Sequence, residues 1–179
     1  MNNNSTPPDR PVLRLDRTDR IILNALLKNA ATPYTEIAGL IPVSDATVHV
    51  RMKKMHQAGL ISGSRLLVDY RRIGYDLIAF VGIYLEKGSD YTEVIRLLKA
   101  IPELVEAHYV TGAYSIFGKI VCRNTDQLRA ILNTRIQTIS GVHRTETTLS
   151  LENPIERFLE LSDETATTTP PGAGVQVST

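Results

Sequence analysis

Ser44, Asp45, Thr47, His49, Arg51, Lys53 and Lys54 crowd one short stretch of this chain, and Arg65 follows soon after. Hydroxyls, a carboxylate and an imidazole come first, and cations come later. On a helix, small polar groups at the N-terminal end suit hydrogen bonds to base edges, and cations further along suit phosphates. Ser44 is placed to cap such a helix by accepting a backbone N–H, and Asp45 suits its positive end. Val48, Met52 and Met55 recur at i, i+4 and i+7, which leaves one apolar stripe to pack on neighbouring helices. The polar residues, together with Val50, lie away from that stripe. Gly59 then marks a helix end. An ordinary amphipathic helix with a solvated basic face has the same composition, so the flanking elements decide.

Upstream, residues 15–27 predict a helix with Asp16 as its N-cap and Ile22, Ala25 and Leu26 on one face. A short helix from Tyr34 through Ala38 and a tight turn separate it from the basic helix. Downstream, Gly63-Ser64 sits between the apolar runs of residues 60–68 and predicts a two-stranded wing, with Arg65 near the phosphates. Three helices and a wing make a winged helix-turn-helix over residues 15–67, whose second motif helix enters the DNA major groove.

The second half has a different pattern. Residues 77–86 form an apolar, β-rich run, and Val94, Leu97, Leu98 and Ile101 recur at helical spacing before Pro102. Val105–Val110 and Ser115–Cys122 read as strands joined by Thr111-Gly112-Ala113-Tyr114. Asn124 caps a second helix whose Leu128, Ile131, Leu132, Ile136 and Ile139 share a face, and Val142–Leu151 is a last strand. The order β-α-β-β-α-β predicts an α+β fold, a ferredoxin-like sandwich over residues 77–161 joined to the first domain by a linker at 68–76. Ile78, Phe80, Val81 and Ile83 place apolar groups on both faces of the first strand. One face takes the helices and the other calls for a partner, so at least a dimer is expected.

Composition bounds these readings. The 179 residues allow one or two small domains, and a net charge of +1 argues against wholesale polyanion binding. Residues 1–70 hold nine Lys/Arg against six Asp/Glu, whereas residues 71–161 hold eleven of each, so the slight excess falls in the proposed DNA-binding half. The single Cys122 can form no intrachain disulfide and fits a reducing cytoplasm. No apolar run is long enough to span a bilayer, so no membrane association is expected. Residues 1–14 and 162–179 carry too little apolar content to fold and are expected to be disordered tails.

At family level the chain resembles the Lrp/AsnC, or feast/famine, regulators, and looks most like the asparagine-responsive AsnC branch. The likeness rests on Leu15-Asp16-x-x-Asp19-x-x-Ile22-Leu23, on Thr47-Val48-His49-Val50-Arg51-Met52-x-Lys54-Met55-x-Gln57-Ala58-Gly59, and on Tyr109-x-Thr111-Gly112-x-Tyr114-Ser115-Ile116-Phe117. It continues through Ile136-Gln137-Thr138-Ile139, Thr145-Glu146-Thr147 and Glu152-Asn153-Pro154-Ile155. The resemblance implies double-stranded DNA as a partner, dimers formed through a RAM-type effector and assembly domain, and four dimers joined as an octamer. It also implies a small amino-acid effector bound between dimers at the loop after the second strand. Here that loop is Thr111-Gly112-Ala113-Tyr114-Ser115.

The residue types suit that role. Gly112 lets a backbone N–H approach a carboxylate closely, Thr111 and Ser115 offer hydroxyls, Tyr109 and Tyr114 offer walls, and Gln137 can pair with a side-chain amide. A plain hairpin turn at Gly112, with Tyr114 packed in an interface, is the alternative. Two positions depart from the family pattern. Ala113 stands where the asparagine branch tends to carry His, and Asp45 stands where the family often carries Pro.

Two other functional classes share this architecture. Sirohaem decarboxylases resemble the family in both domains and use His and Tyr, and His108 beside Tyr109 is the pair that evokes them. The chain shows no Ser-His-Asp order, metal-ligand spacing or phosphate loop, so no catalytic residue, metal or cofactor is expected. A stand-alone amino-acid-binding module with a vestigial DNA domain is the other class. The intact Arg51, Lys53, Lys54 and Arg65 argue against it, and for Arg51 the alternative to a phosphate contact is a brace between helices with Asp16 or Asp19 as its partner.

Overall fold

A computed structural model of the chain describes residues 12–162, so the expected terminal tails lie almost wholly outside the described residues. The described chain divides into two compact units, one running to Arg65 and taking up the chain again from Arg157, the other spanning Leu66–Glu156.

In the first unit, α1 (Arg17–Lys28), α2 (Tyr34–Gly39) and α3 (Asp45–Gln57) follow one another. Asp16 caps α1 within a reciprocal capping box, its side chain accepting from the Asp19 N–H while the Asp19 side chain accepts from the Asp16 N–H. Ser44 caps α3 by accepting from the Thr47 N–H. The expected stripe of Val48, Met52 and Met55 is buried, together with Ile22, Leu23, Ile37 and Ile41. Leu161 also packs on this core, and its backbone is held at both polar groups by Asn24: the amide nitrogen donates to the carbonyl at 3.0 Å and the amide oxygen accepts from the N–H at 2.9 Å. Residues 157–161, which the sequence pattern assigns to the second domain, therefore group with the first because their apolar and backbone partners lie on α1.

The wing expected over residues 60–68 does not form as a pair of strands. Residues 61–69 carry no strand. Leu66 and Leu67 are 88% and 74% exposed, so the apolar run after Gly63 finds nothing to bury against within its own chain, and burial is what makes a hairpin worth forming. The expected linker contains a short 3₁₀ turn, Tyr70–Ile73, capped by Asp69.

The second unit has the predicted βαββαβ order: β1 (Leu77–Leu85), α4 (Tyr91–Leu98), β2 (Leu104–Tyr109), β3 (Ile116–Cys122), α5 (Thr125–Ala130) and β4 (Val142–Leu149). The strands form one antiparallel sheet ordered β2-β3-β1-β4. Alternation along β1 and β3 buries Ala79, Val81, Ile83, Ile116, Ile120 and Cys122 against Val94 and Leu98 of α4 and Leu128 of α5. Burial raises the Cys122 thiol above its ordinary pKa. The second helix departs from a simple α-helix. After Ala130 it continues as a π-helical segment, Ile131–Ile136, where Thr134 donates its hydroxyl to the Ala130 carbonyl and Thr138 to that of Thr134. This wider segment ends at Gln137, a residue of the candidate effector site.

Candidate functional sites

On α3, the three buried residues fix which side faces out. At 100° per residue, the ridge farthest from Val48, Met52 and Met55 is Ala46, Val50, Lys53 and Gln57, flanked by His49 and Lys54. Val50 is 69% exposed, an apolar side chain held out on a polar helix face, and its shape suits a thymine methyl group. Val50 is absent from the DNA contacts that the sequence predicts, although its place opposite the apolar stripe is a usable signal. Lys53 and Lys54 are exposed. His49 is exposed and steadied by Tyr34, whose ring lies edge-on at 4.5 Å between centroids.

Other expected DNA contacts are engaged within the protein. The Arg51 guanidinium donates to Asp16 at 2.6 Å and to Asp19 at 2.8 Å. Each of these carboxylates uses one oxygen for the α1 capping box and the other for Arg51. Arg51 holds the Asp16 carboxyl below the ordinary carboxylate range, and the same hydrogen bonds raise the guanidinium's own pKa. Arg51 thus ties α3 to the start of α1, the brace on Asp16 and Asp19 that stood as the alternative to a phosphate contact. The Thr47 hydroxyl lies 3.0 Å from that of Ser44, so both belong first to the helix cap. Asp45 accepts from the Ala46 N–H. Arg65 is exposed, in the segment that lacks the expected strands.

The candidate effector residues gather at one end of the sheet. The Val110 N–H donates to the Ser115 carbonyl, and the Ser115 N–H donates to that of Ile83 in β1. Between them, Gly112 has a φ of 110°, a backbone conformation that strains any side chain. Among the described residues, the N–H groups of Thr111 to Tyr114 meet no backbone acceptor. On the other side of β1, Thr145 of β4 stands opposite Ile83, and Gln137 donates its amide to the Thr145 hydroxyl at 2.9 Å. Strand spacing puts Gln137's partner about 10 Å from Ile116, the first β3 residue after the loop.

Tyr109 faces the helix side, its ring 4.6 Å from that of Tyr91 on α4. Tyr114 leaves the loop for the outer face of the sheet, where its hydroxyl donates to Glu146 at 3.0 Å. The Ser115 hydroxyl accepts from the Leu85 N–H at 3.4 Å, and Thr111 and Ala113 are exposed at the tip. Glu146 also accepts from Tyr84 and from Arg144, and these donors hold its carboxyl below the ordinary range. Neither Glu146 nor Thr145 was in the predicted site, because only strand register brings them to the loop. The His108–Tyr109 pair is split: His108 bonds Glu106 at 2.6 Å on the outer face, whereas Tyr109 faces the helices.

Comparison with known proteins covers both units. The AsnC-type helix-turn-helix domain matches residues 15–56, and the Lrp/AsnC ligand-binding domain matches residues 78–159. The chain is 45% identical over 146 residues to the regulatory protein AsnC of Escherichia coli K12, covering 82% of this chain and 96% of that protein.

This chain belongs to the Lrp/AsnC family.

The solved E. coli AsnC structure superposes with a TM-score of 0.79 at 44% identity, covering 83% of this chain and 100% of that one. The HTH-type transcriptional regulator FL11 of Pyrococcus furiosus is 32% identical over 138 residues, 77% of this chain and 90% of that protein. A Neisseria meningitidis transcriptional regulator solved as an L-Met complex shares the fold, with a TM-score of 0.79 at 19% identity over 83% of this chain and 97% of its own. This Lrp/AsnC chain is therefore a transcriptional regulator with a helix-turn-helix and a ligand-binding domain, and an enzymatic role is set aside. Among the described residues no helix is long and apolar enough to cross a membrane.

Proposed function

We propose that this regulator binds double-stranded DNA through the outer ridge of α3 and that a small polar amino acid, with asparagine favoured, controls its assembly or DNA occupancy. On the DNA side, Lys53 and Lys54 contact phosphates while His49 and Val50 face base edges. Ser44 and Asp45 present the helix N-terminus, and Arg65 lies on the flanking segment. On the effector side, the loop from Thr111 to Ser115 supplies backbone donors for the ligand carboxylate, and Gln137 turns its amide toward the ligand side chain. Tyr109 forms one wall.

The observation that carries this reading is the loop itself: unpaired N–H groups around a Gly112 in the left-handed region, at the sheet end where Gln137 is also held. An α-amino acid needs such donors, and a carboxylate meets them best where glycine leaves the backbone bare. The likeness to AsnC favours asparagine, and the methionine complex of the Neisseria protein is in keeping with an amino acid as the ligand class.

A second copy of the chain completes the assembly. Phe80 stacks on Phe117 on the outer sheet face, and Leu66 and Leu67, in the segment ahead of β1, are exposed, which suits packing against another protomer. Dimers then join as an octamer in the cytoplasm. A ligand that binds one inter-dimer geometry better shifts the population toward it by no more than its differential affinity.

A thermal-shift screen of the twenty amino acids tests the effector reading, since a ligand of the native state raises apparent stability by mass action. Asparagine should raise the melting temperature most and should change DNA affinity in a gel shift. A screen in which no amino acid moves either quantity would remove the effector reading.

A further inference from the structure

Gly82 stands at the middle of the outer sheet face, paired with Phe117 of β3 on one side and Glu146 of β4 on the other. Tyr114 crosses all three strands at this level. Its ring stacks on Phe117 at 5.8 Å between centroids, passes over Gly82, and ends with its hydroxyl 3.0 Å from Glu146. A Cβ at residue 82 would lie 2.7 Å from the Tyr114 Cγ and closer still to two other ring carbons. Gly82 has no positive φ, so its lack of a side chain answers to the ring above it and not to backbone conformation. Tyr84 packs edge-on against the same ring at 5.2 Å and shares the Glu146 acceptor, and the Arg144 guanidinium lies over Tyr84 at 3.7 Å.

Tyr114 is also the last residue of the tip that contains Thr111, Gly112 and Ala113. The backbone on its C-terminal side is fixed by the Ser115–Ile83 hydrogen bond. The tip therefore has two anchors, one in the backbone ladder and one through the Tyr114 ring on the opposite face of the sheet from the helices.

We propose that Tyr114 is the positioning residue of the amino-acid response: seated on Gly82 and tied to Glu146, it holds the Thr111–Ala113 backbone in the shape that receives the ligand carboxylate. The Tyr114 side chain itself touches no ligand. The inference rests on the effector reading given above. It assigns Gly82 and Glu146 to effector recognition although neither lies in the loop. Fixing the donors before the ligand arrives reduces the ordering cost of binding, which is how a remote strut raises affinity.

The test is a double-mutant cycle between residues 82 and 114, read in the full-length protein as the concentration of each of the twenty L-amino acids that gives half the maximal thermal shift. Gly82→Ala should weaken the response about tenfold, because the ring must leave its seat. In a Tyr114→Ala background the seat is empty, so Gly82→Ala should add nothing. If Gly82→Ala fails to fold, Tyr114→Phe and Glu146→Gln carry the test. Tyr114→Phe removes only the hydroxyl–carboxylate bond, whereas Glu146→Gln weakens that bond along with those from Tyr84 and Arg144; each should weaken the response by a few-fold, and together they should do less than the two effects combined. Melting temperatures without ligand and masses from light scattering separate this effect from a loss of fold or assembly. A parent that responds while Gly82→Ala responds equally, or additive effects in the cycle, would overturn the strut and leave the effector reading standing. A parent that responds to no amino acid would overturn both.

Discussion

The reading helix and the effector loop reach their chemistry by opposite routes. On α3 the functional groups are side chains, and their directions follow from three buried neighbours on the same helix, Val48, Met52 and Met55. In the loop the groups that matter most are backbone N–H donors. Their position follows from pairings far apart in sequence, Ser115 with Ile83 and Thr145 with Ile83. A local site can be read from period and spacing. A site assembled by sheet register needs the register first.

The largest way to break this comparison is to remove the local support of the reading helix. Met52 is 6% exposed in the first core, and Met52→Ala should cost about 2–5 kcal/mol in urea unfolding. DNA binding should fail while amino acid still protects the second unit. Loss of ligand protection in the same variant would show that the loop depends on the helical core too.

A sharper test separates brace from contact. Arg51→Ala leaves Asp16 and Asp19 without their shared cation, and should lower stability by about 1 kcal/mol after allowance for solvent around the cluster, with the salt slope of DNA binding unchanged. Lys54→Ala should do the reverse: unchanged stability, weaker binding to every sequence, and a salt slope flatter by about one. An Arg51→Ala variant with a flattened slope would return Arg51 to the phosphates. The brace also has a pH signature. Arg51 lowers the Asp16 pKa, so its stabilisation is fully present above the ordinary carboxylate range and is lost as pH falls through the lowered value. Stability of the parent should therefore fall in acid more steeply than that of Arg51→Ala, as followed by circular dichroism.

The smallest expected effect is at His49. His49→Ala should change the preferred base at one operator position and leave non-specific affinity nearly untouched. Selection from a random DNA pool would show it, and an unchanged preference would leave base reading to Val50 and its neighbours.

How much was legible follows the same division. The Ser44 cap, the Asp16 cap and the buried α3 stripe were all visible because each depends on residues within a few positions. The order of strands was visible from alternation and turns. The wing was not foreseen correctly, since Leu66 and Leu67 carry a strand-like pattern whose apolar groups find no cover within the chain. Arg51 reads as a DNA contact by charge or as a brace on Asp16 or Asp19, and its 2.6 Å bond to Asp16, thirty-five residues away, favours the brace. Tyr114 reads as a wall of the loop, whereas Gly82 and Glu146 draw it to the outer sheet face.

The most direct test of the central claim, that the loop after β2 controls DNA occupancy, is a DNA titration of Gly112→Leu beside the parent, with and without whichever amino acid stabilises the parent most. A φ of 110° and open space around residue 112 mean that a side chain there reorients the loop's donors without crowding the core. The account predicts parent-like DNA binding by the variant in the absence of amino acid and no change when it is added. A variant whose DNA binding shifts with amino acid as the parent's does would contradict it.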